Sequence, residues 1–131
     1  MILLDTHALI WLVDSPEKLS KKAQKFIQKE TKNGIVYASS FSIWEIYMLI
    51  KKGRLVLSRD VDSWVKEVEN LHSIKFIPLD NQIAAKSVNL PDSFHDDPAD
   101  RIIVATAREF GATLITIDQK IRKYPHVQSL W

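Results

Sequence analysis

Short apolar runs alternate with amphipathic stretches along the whole chain, and that alternation limits the folds open to it. Ile2–Leu4 and residues 35–38, 74–79 and 113–117 read as strands, and Val127 reads as part of a last short one. Pro78 makes the third of these an early-ending or edge strand. Between them lie helical patterns. Residues 7–13 are apolar on most sides and stop at Ser15-Pro16. Residues 21–31 follow Ser20 as N-cap, with Ala23, Phe26 and Ile27 on the inner face. Ser42 opens a helix that ends near Gly53. Residues 62–71 form another, and Asn81–Val88 and Pro98–Phe110 two more, the last with Pro98 at the first helical position and Gly111 just past the end. A brief helix comes after Asp118. Strands that alternate with helices give a mostly parallel sheet covered on both faces, an α/β fold in three layers, α/β/α. With 131 residues and no repeat, low-complexity tract or linker, the expectation is one domain, residues 1–131.

Composition removes several functional classes. There is no cysteine, so neither a disulfide framework nor a thiolate metal site is open to the chain. The four histidines, His7, His72, His95 and His126, have no zinc-type spacing. No stretch approaches the roughly 20 apolar residues of a membrane span, and the start lacks a basic, then apolar leader; the expectation is a soluble, cytoplasmic protein with no membrane partner. Net charge is only +2. The cations gather in three groups: Lys18, Lys21, Lys22, Lys25, Lys29 and Lys32; Lys51, Lys52 and Arg54; Lys120, Arg122 and Lys123. Each group fits either a solvated face or a patch for phosphates.

Open parallel sheets bind ligands beyond the carboxyl ends of their strands. Acids at those places are Asp5, closing the first strand; Glu45, in the helix after the second; Asp100, in the first turn of the helix from Pro98; and Asp118, closing the fourth strand. Each also has a structural reading. Ser42 and Glu45 have capping-box spacing, Asp97 is placed to cap the helix that carries Asp100, and Asp5 and Asp118 can cap the helices after them. Asp5 is the hardest to explain as a cap alone, because apolar sequence flanks it on both sides and an unpaired buried carboxylate is costly. As a set, the four acids would repel unless a cation sat among them. Hard divalent cations such as Mg²⁺ or Mn²⁺ take oxygen donors of this kind and promote phosphodiester hydrolysis. His95, near Asp97 and Asp100, could touch a substrate.

Four segments carry a family likeness: residues 3–9 (LLDTHAL), 42–46 (SIWEI), 95–107 (HDDPADRIIVATA) and 114–118 (LITID). In this order they resemble the PIN-domain ribonucleases, especially the VapC-like toxins of prokaryotic type II toxin–antitoxin pairs. The resemblance implies a central parallel sheet of about five strands and Mg²⁺- or Mn²⁺-dependent endoribonuclease activity on an RNA substrate. It puts the family's acids at Asp5, Glu45, Asp100 and Asp118. It also matches Thr6 and Thr116 to polar positions and leaves Asp97 either a further metal contact or a cap. Arg101 or nearby lysines would steady phosphates. A small antitoxin partner and a homodimer are also implied. Trp11, Trp44 and Tyr47, on the helices nearest the acids, offer partner surfaces, although helical spacing favours Trp44 as core.

Two other readings use the same residues. One is a metal-binding interaction module of this fold with little catalysis. The other is a phospho-receiver domain with Asp80 as phosphate acceptor, although Asp5 lacks the acidic neighbour such a site needs, and Asp80 also fits as the cap of Asn81–Val88.

Overall fold

Leu4, near the centre of the molecule, is paired with Ala38 on one side and Ile115 on the other. A computed structural model describes residues 1–131, apart from the side chain of Lys32, so the Lys32 member of the first basic group lies outside the described residues. The strands are β1 (Ile2–Leu4), β2 (Val36–Ser39), β3 (Ile74–Ile77), β4 (Thr113–Ile115) and β5 (Ser129–Leu130). They form one parallel sheet in the order β3-β2-β1-β4-β5. The helices are α1 (Thr6–Asp14), α2 (Lys21–Glu30), α3 (Phe41–Lys51), α4 (Val61–Glu69), α5 (Asn81–Val88), α6 (Pro98–Phe110) and α7 (Gln119–Arg122).

The strand order has a functional consequence. From β1 the chain moves outward through β2 to β3, then returns to β1's other side for β4 and β5. The direction of winding therefore reverses between β1 and β4. At such a reversal the flanking connections diverge and leave a crevice past the strand ends.

Side chains alternate across the short strands, as a strand's period of two requires. Ile2, Leu4 and Ile115 face one core with Leu9, Ala23, Ile46, Trp64 and Val68, drawn from α1 to α4. Leu3 and Leu114 face the opposite core with Ile83, Ile103, Val104 and Ile121, drawn from α5 to α7. The sheet is thus covered on both faces, and strands β1 and β4 are apolar at every buried position because neither face meets water.

Local chemistry sets most helix ends. Ser20 accepts the Ala23 N–H at 2.9 Å, Asp60 that of Ser63 at 3.0 Å and Asp80 that of Ile83 at 2.8 Å. Asp80 is exposed at this cap, on the edge-strand side of the sheet. Gly111 ends α6 in the left-handed region at φ 60°.

Several boundaries differ from the sequence reading. The fourth strand stops at Ile115, since Ile117 is already exposed where the chain leaves the sheet. The last strand is Ser129–Leu130, not at Val127, which packs against the α5–α7 core. The helix read as 62–71 is Val61–Glu69, started by the Asp60 cap. The helix read from Ser42 begins at Phe41, and Ser42 lies inside its first turn, fully buried. Trp44 is not core. The buried residues of α3 are Ser42 and Ile46, one turn apart, and Trp44 projects between them on the other side, half exposed and stacked on Phe41.

Gly111 provides a test of the α6 stop. A Cβ there meets no neighbour within 4 Å, so only the backbone conformation resists substitution. Gly111→Ala is expected to cost about 1 kcal/mol, read as a lower urea midpoint with an unchanged slope.

Candidate active site

Asp5 is the first residue beyond β1, and its amide donates to the Ile115 carbonyl at 3.1 Å. The β1–β4 register therefore continues one step past the strands and sets Asp5 beside Thr116. One Asp5 oxygen accepts the Ala8 amide at 2.8 Å and caps α1. The Thr116 hydroxyl accepts the Asp118 N–H at 3.0 Å and also serves the Asp5 carboxylate. Asp118 in turn caps α7 through Lys120 N at 2.7 Å and Ile121 N at 3.3 Å. One buried threonine thus links the acids of two strands.

Glu45 enters from the other side of β1. The expected capping box is absent: Ser42 receives the Thr6 hydroxyl at 2.9 Å, a buried bond that ties α1 to α3. Ser40 occupies the N-cap without a side-chain bond. Glu45 is therefore beyond the first turn of α3 and has no capping duty, so its position over the crevice needs another explanation. Asp97 does cap α6, accepting the Asp100 N–H at 2.9 Å. Asp100 is left with its carboxylate free of helix-end bonding.

These side chains meet. Asp5, Glu45, Asp97, Asp100 and Asp118 line one cavity of about 510 Å³, with Thr6, His7, Trp11, Ile103 and Ile117 completing its wall. Among the described residues, no three His, Cys, Asp or Glu side chains already form a ready coordination shell. The carboxylates share a cavity without gripping a common point.

Their crowding appears in the proton affinities. Burial pushes the Asp5 carboxyl up to about 6, against the opposing pull of the Thr116 hydroxyl, the Ala8 amide and His7, with Glu45 adding to the rise. Burial, then the charges of Asp97, Asp118, Glu45 and Asp5, push Asp100 up to about 7. A divalent cation among these oxygens would reverse both effects, and an all-carboxylate donor set suits a hard ion. The residues present therefore fit such an ion.

The accessory residues divide. Thr6, Thr116 and Asp97 serve the site through the bonds just given. His95 lies at its edge: Nδ1 accepts the Asp97 N–H at 3.3 Å, and Nε2 is 3.1 Å from Asp100 Oδ2, too poorly aligned for a hydrogen bond, so this buried nitrogen has no partner. Arg101 does not reach the cavity. Its guanidinium donates to the carbonyls of Ser87 (2.8 Å), Val88 (3.0 Å), Phe94 (2.8 Å) and His95 (3.1 Å), fastening the loop between α5 and α6. Asp80 lies outside the cavity, which removes the basis for the receiver reading. Ser42, His7 and Trp11 are not among the residues that the sequence marks for the site. His7 comes two residues after the first acid, and that proximity was the available signal. The Ser42–Thr6 bond spans 36 residues and left no local trace.

Comparison with known proteins gives a consistent picture. A family model described as PIN domain matches residues 2–127. Ribonuclease VapC22 of Mycobacterium tuberculosis (strain ATCC 25618 / H37Rv) is 35% identical over 126 residues, covering 95% of this chain and 92% of that protein. In fold the chain is similar to FitAcB from Neisseria gonorrhoeae, with TM-score 0.70 and 19% identity over 100% of this chain and 97% of that one. It is likewise similar to VapBC2 from Rickettsia felis bound to a promoter DNA fragment, with TM-score 0.70 and 17% identity over 99% and 98%.

The raised carboxyls fix the sign of a pH effect. Both groups hold protons more tightly folded than unfolded, so their contribution to stability is complete below the ordinary value of 3.8 and is lost as pH rises through about 6 and about 7. Metal-free protein is expected to be less stable at pH 8 than at pH 5. Asp100→Asn is expected to remove part of this loss, about 1 kcal/mol after allowing for partial exposure, seen as a larger gain in Tm at pH 8 than at pH 5.

Proposed function

The chain belongs to the PIN-domain family, and from that premise we propose that it is a divalent-metal-dependent endoribonuclease, acting with Mg²⁺ or Mn²⁺, and the toxin of a toxin–antitoxin pair. One observation carries the reading: acids from four separate elements line one crevice at the point where the sheet's winding reverses, and burial raises the proton affinity of Asp5 and Asp100 there.

In this reading Asp5, Asp100 and Asp118 hold the ion, with Glu45 either directly or through water. When bound, the ion would activate a water and stabilise the leaving oxygen in hydrolysis of the phosphodiester. The protein's own groups do the remaining work. The Ala8 amide and the Thr116 hydroxyl fix the Asp5 carboxylate, so it is already oriented when the ion arrives. The Asp97 cap takes up the Asp100 amide and leaves the Asp100 carboxylate for the cavity. The Thr6–Ser42 bond fixes α3 against α1, which sets the height of Glu45 over Asp5. Ile103 and Ile117 give the cavity apolar walls, which strengthen every charge interaction inside it.

A small antitoxin and a second copy of the chain are the partners the reading adds. VapBC2 and FitAcB, the fold relatives, support the first by analogy of fold. Trp44, Tyr47, Met48, Ile50 and Val61 form an exposed apolar groove suited to a protein partner. An interaction module with little catalysis would use the same acids; cleavage decides between the two readings.

Purified protein incubated with RNA and Mn²⁺ or Mg²⁺ is expected to cut it, and EDTA to stop the cutting. Asp5→Asn is expected to lower the rate by at least about 100-fold, as removal of a principal electrostatic contributor does, while the variant stays folded by circular dichroism. Cutting that persists in EDTA or in Asp5→Asn would overturn the proposal.

A further inference from the structure

A second cavity, of about 300 Å³, lies on the far side of the His95–Asp100 contact. Its walls are Phe94 and His95 from the loop between α5 and α6, and Lys120, Lys123 and Tyr124 from α7 and the residues just after it. It adjoins the acid cavity twice. His95 reaches Asp100 at 3.1 Å, and Asp118, which caps α7, stands two residues before Lys120.

The chemistry of this second cavity is opposite to that of the first. Neither Lys120 nor Lys123 is paired with a carboxylate among the described residues, whose lysine and arginine ion pairs are Arg59–Glu67 and Lys86–Glu109. Two uncompensated cations on a concave surface attract anions. Beside them is an aromatic wall: Phe94 and His95 have ring centroids 4.3 Å apart, and Phe94 and Tyr124 4.8 Å. Cations next to an aromatic face are the combination that holds single-stranded nucleic acid, phosphate on one and base on the other. The wall is rigid. Arg101 fixes the Phe94 and His95 carbonyls, the Tyr124 hydroxyl donates to the Pro91 carbonyl, and His126 pairs with Asp92.

We propose that this cavity seats the nucleotide next to the scissile phosphate, unpaired, with its phosphate on Lys120 and Lys123 and its base against Phe94 and His95. The inference rests on the RNA-cleaving reading and extends it: Lys120, Lys123, Phe94 and His95 are the residues that hold the nucleotide beside the cut. The arrangement separates two tasks. The acids repel RNA until an ion is present, whereas the lysines hold the neighbouring phosphate without one. A base must leave its helix to reach the aromatic wall, so a continuous duplex is a poor ligand.

The test is binding of fluorescein-labelled RNA by anisotropy, with Ca²⁺ in place of Mg²⁺ or Mn²⁺. A single strand is compared with the same strand in a blunt duplex, over a range of KCl. Lys120→Ala/Lys123→Ala is expected to weaken single-strand binding about tenfold and to flatten the slope of log K against log salt by about 0.7 for each lysine. Phe94→Leu, which keeps an apolar side chain in the wall, is expected to weaken binding severalfold without changing that slope. Lys21→Ala/Lys25→Ala on α2, which lines neither cavity, is the control for general charge. Mn²⁺ affinity, followed by electron paramagnetic resonance, is expected to stay as in the unaltered protein for all three. Equal losses in the two lysine pairs, an unchanged slope in Lys120→Ala/Lys123→Ala, or equal binding of duplex and single strand would each overturn the proposal. If the unaltered protein prefers the single strand and the lysine variant loses it, yet no RNA is cut, the cleavage reading fails and the nucleotide seat stands. If it cuts RNA and the lysine variant binds unchanged, the seat fails and the cleavage reading stands.

Discussion

The Asp5 amide donates to the Ile115 carbonyl one step beyond the last paired residues of β1 and β4. That bond holds the two strand ends in register, and the rest of the site depends on it. It sets Asp5 against Thr116, and Thr116 against the Asp118 amide. It also lies where the sheet's winding reverses, so the connections to β2 and from α6 separate above it and leave room for Glu45 and Asp100. A slip of one residue in this pairing would turn the slipped strand's leucine, Leu3 or Leu114, to the wrong core and dissolve the acid cluster in the same step.

The helix caps and the acids share residues. Asp5, Asp97 and Asp118 each close the start of a helix, and all line the cavity. The structural and functional readings of these positions are therefore not alternatives. A carboxylate has two oxygens, and a cap uses one of them, as Oδ1 of Asp5 does for Ala8. Glu45 and Asp100 show the other arrangement: neither caps anything, and both face the crevice.

Much of the fold could be read in advance because its signals are local. The β1 run, the Ser20 and Asp97 caps, Pro98 at the start of α6 and Gly111 at its end each act within a few residues, and the elements obey them. That the four acids of the candidate site share one cavity could be read for the same reason, since each adjoins a strand end or lies near a helix start. The features that could not be read depended on partners far along the chain. Ser42 has the spacing of a cap, but it is buried by a bond to Thr6, which turns α3 so that Trp44 faces out. Arg101 comes directly after an acid and suggests a phosphate contact, but four carbonyls from residues 87–95 hold it. The last strand is two residues long, too short for any pattern to mark it.

Arg101 holds the loop between α5 and α6 by main-chain oxygens alone. A guanidinium that binds carbonyls does not depend on which side chains those residues carry. These four anchors of the loop are thus insulated from its composition, whereas Asp92 and Phe94 hold it through their side chains. Ser93, exposed in that loop, can be exchanged while the frame persists, much as interchangeable bits fit one chuck. A chain built this way can vary at such exposed loop positions while the acids, the sheet and the caps stay as they are.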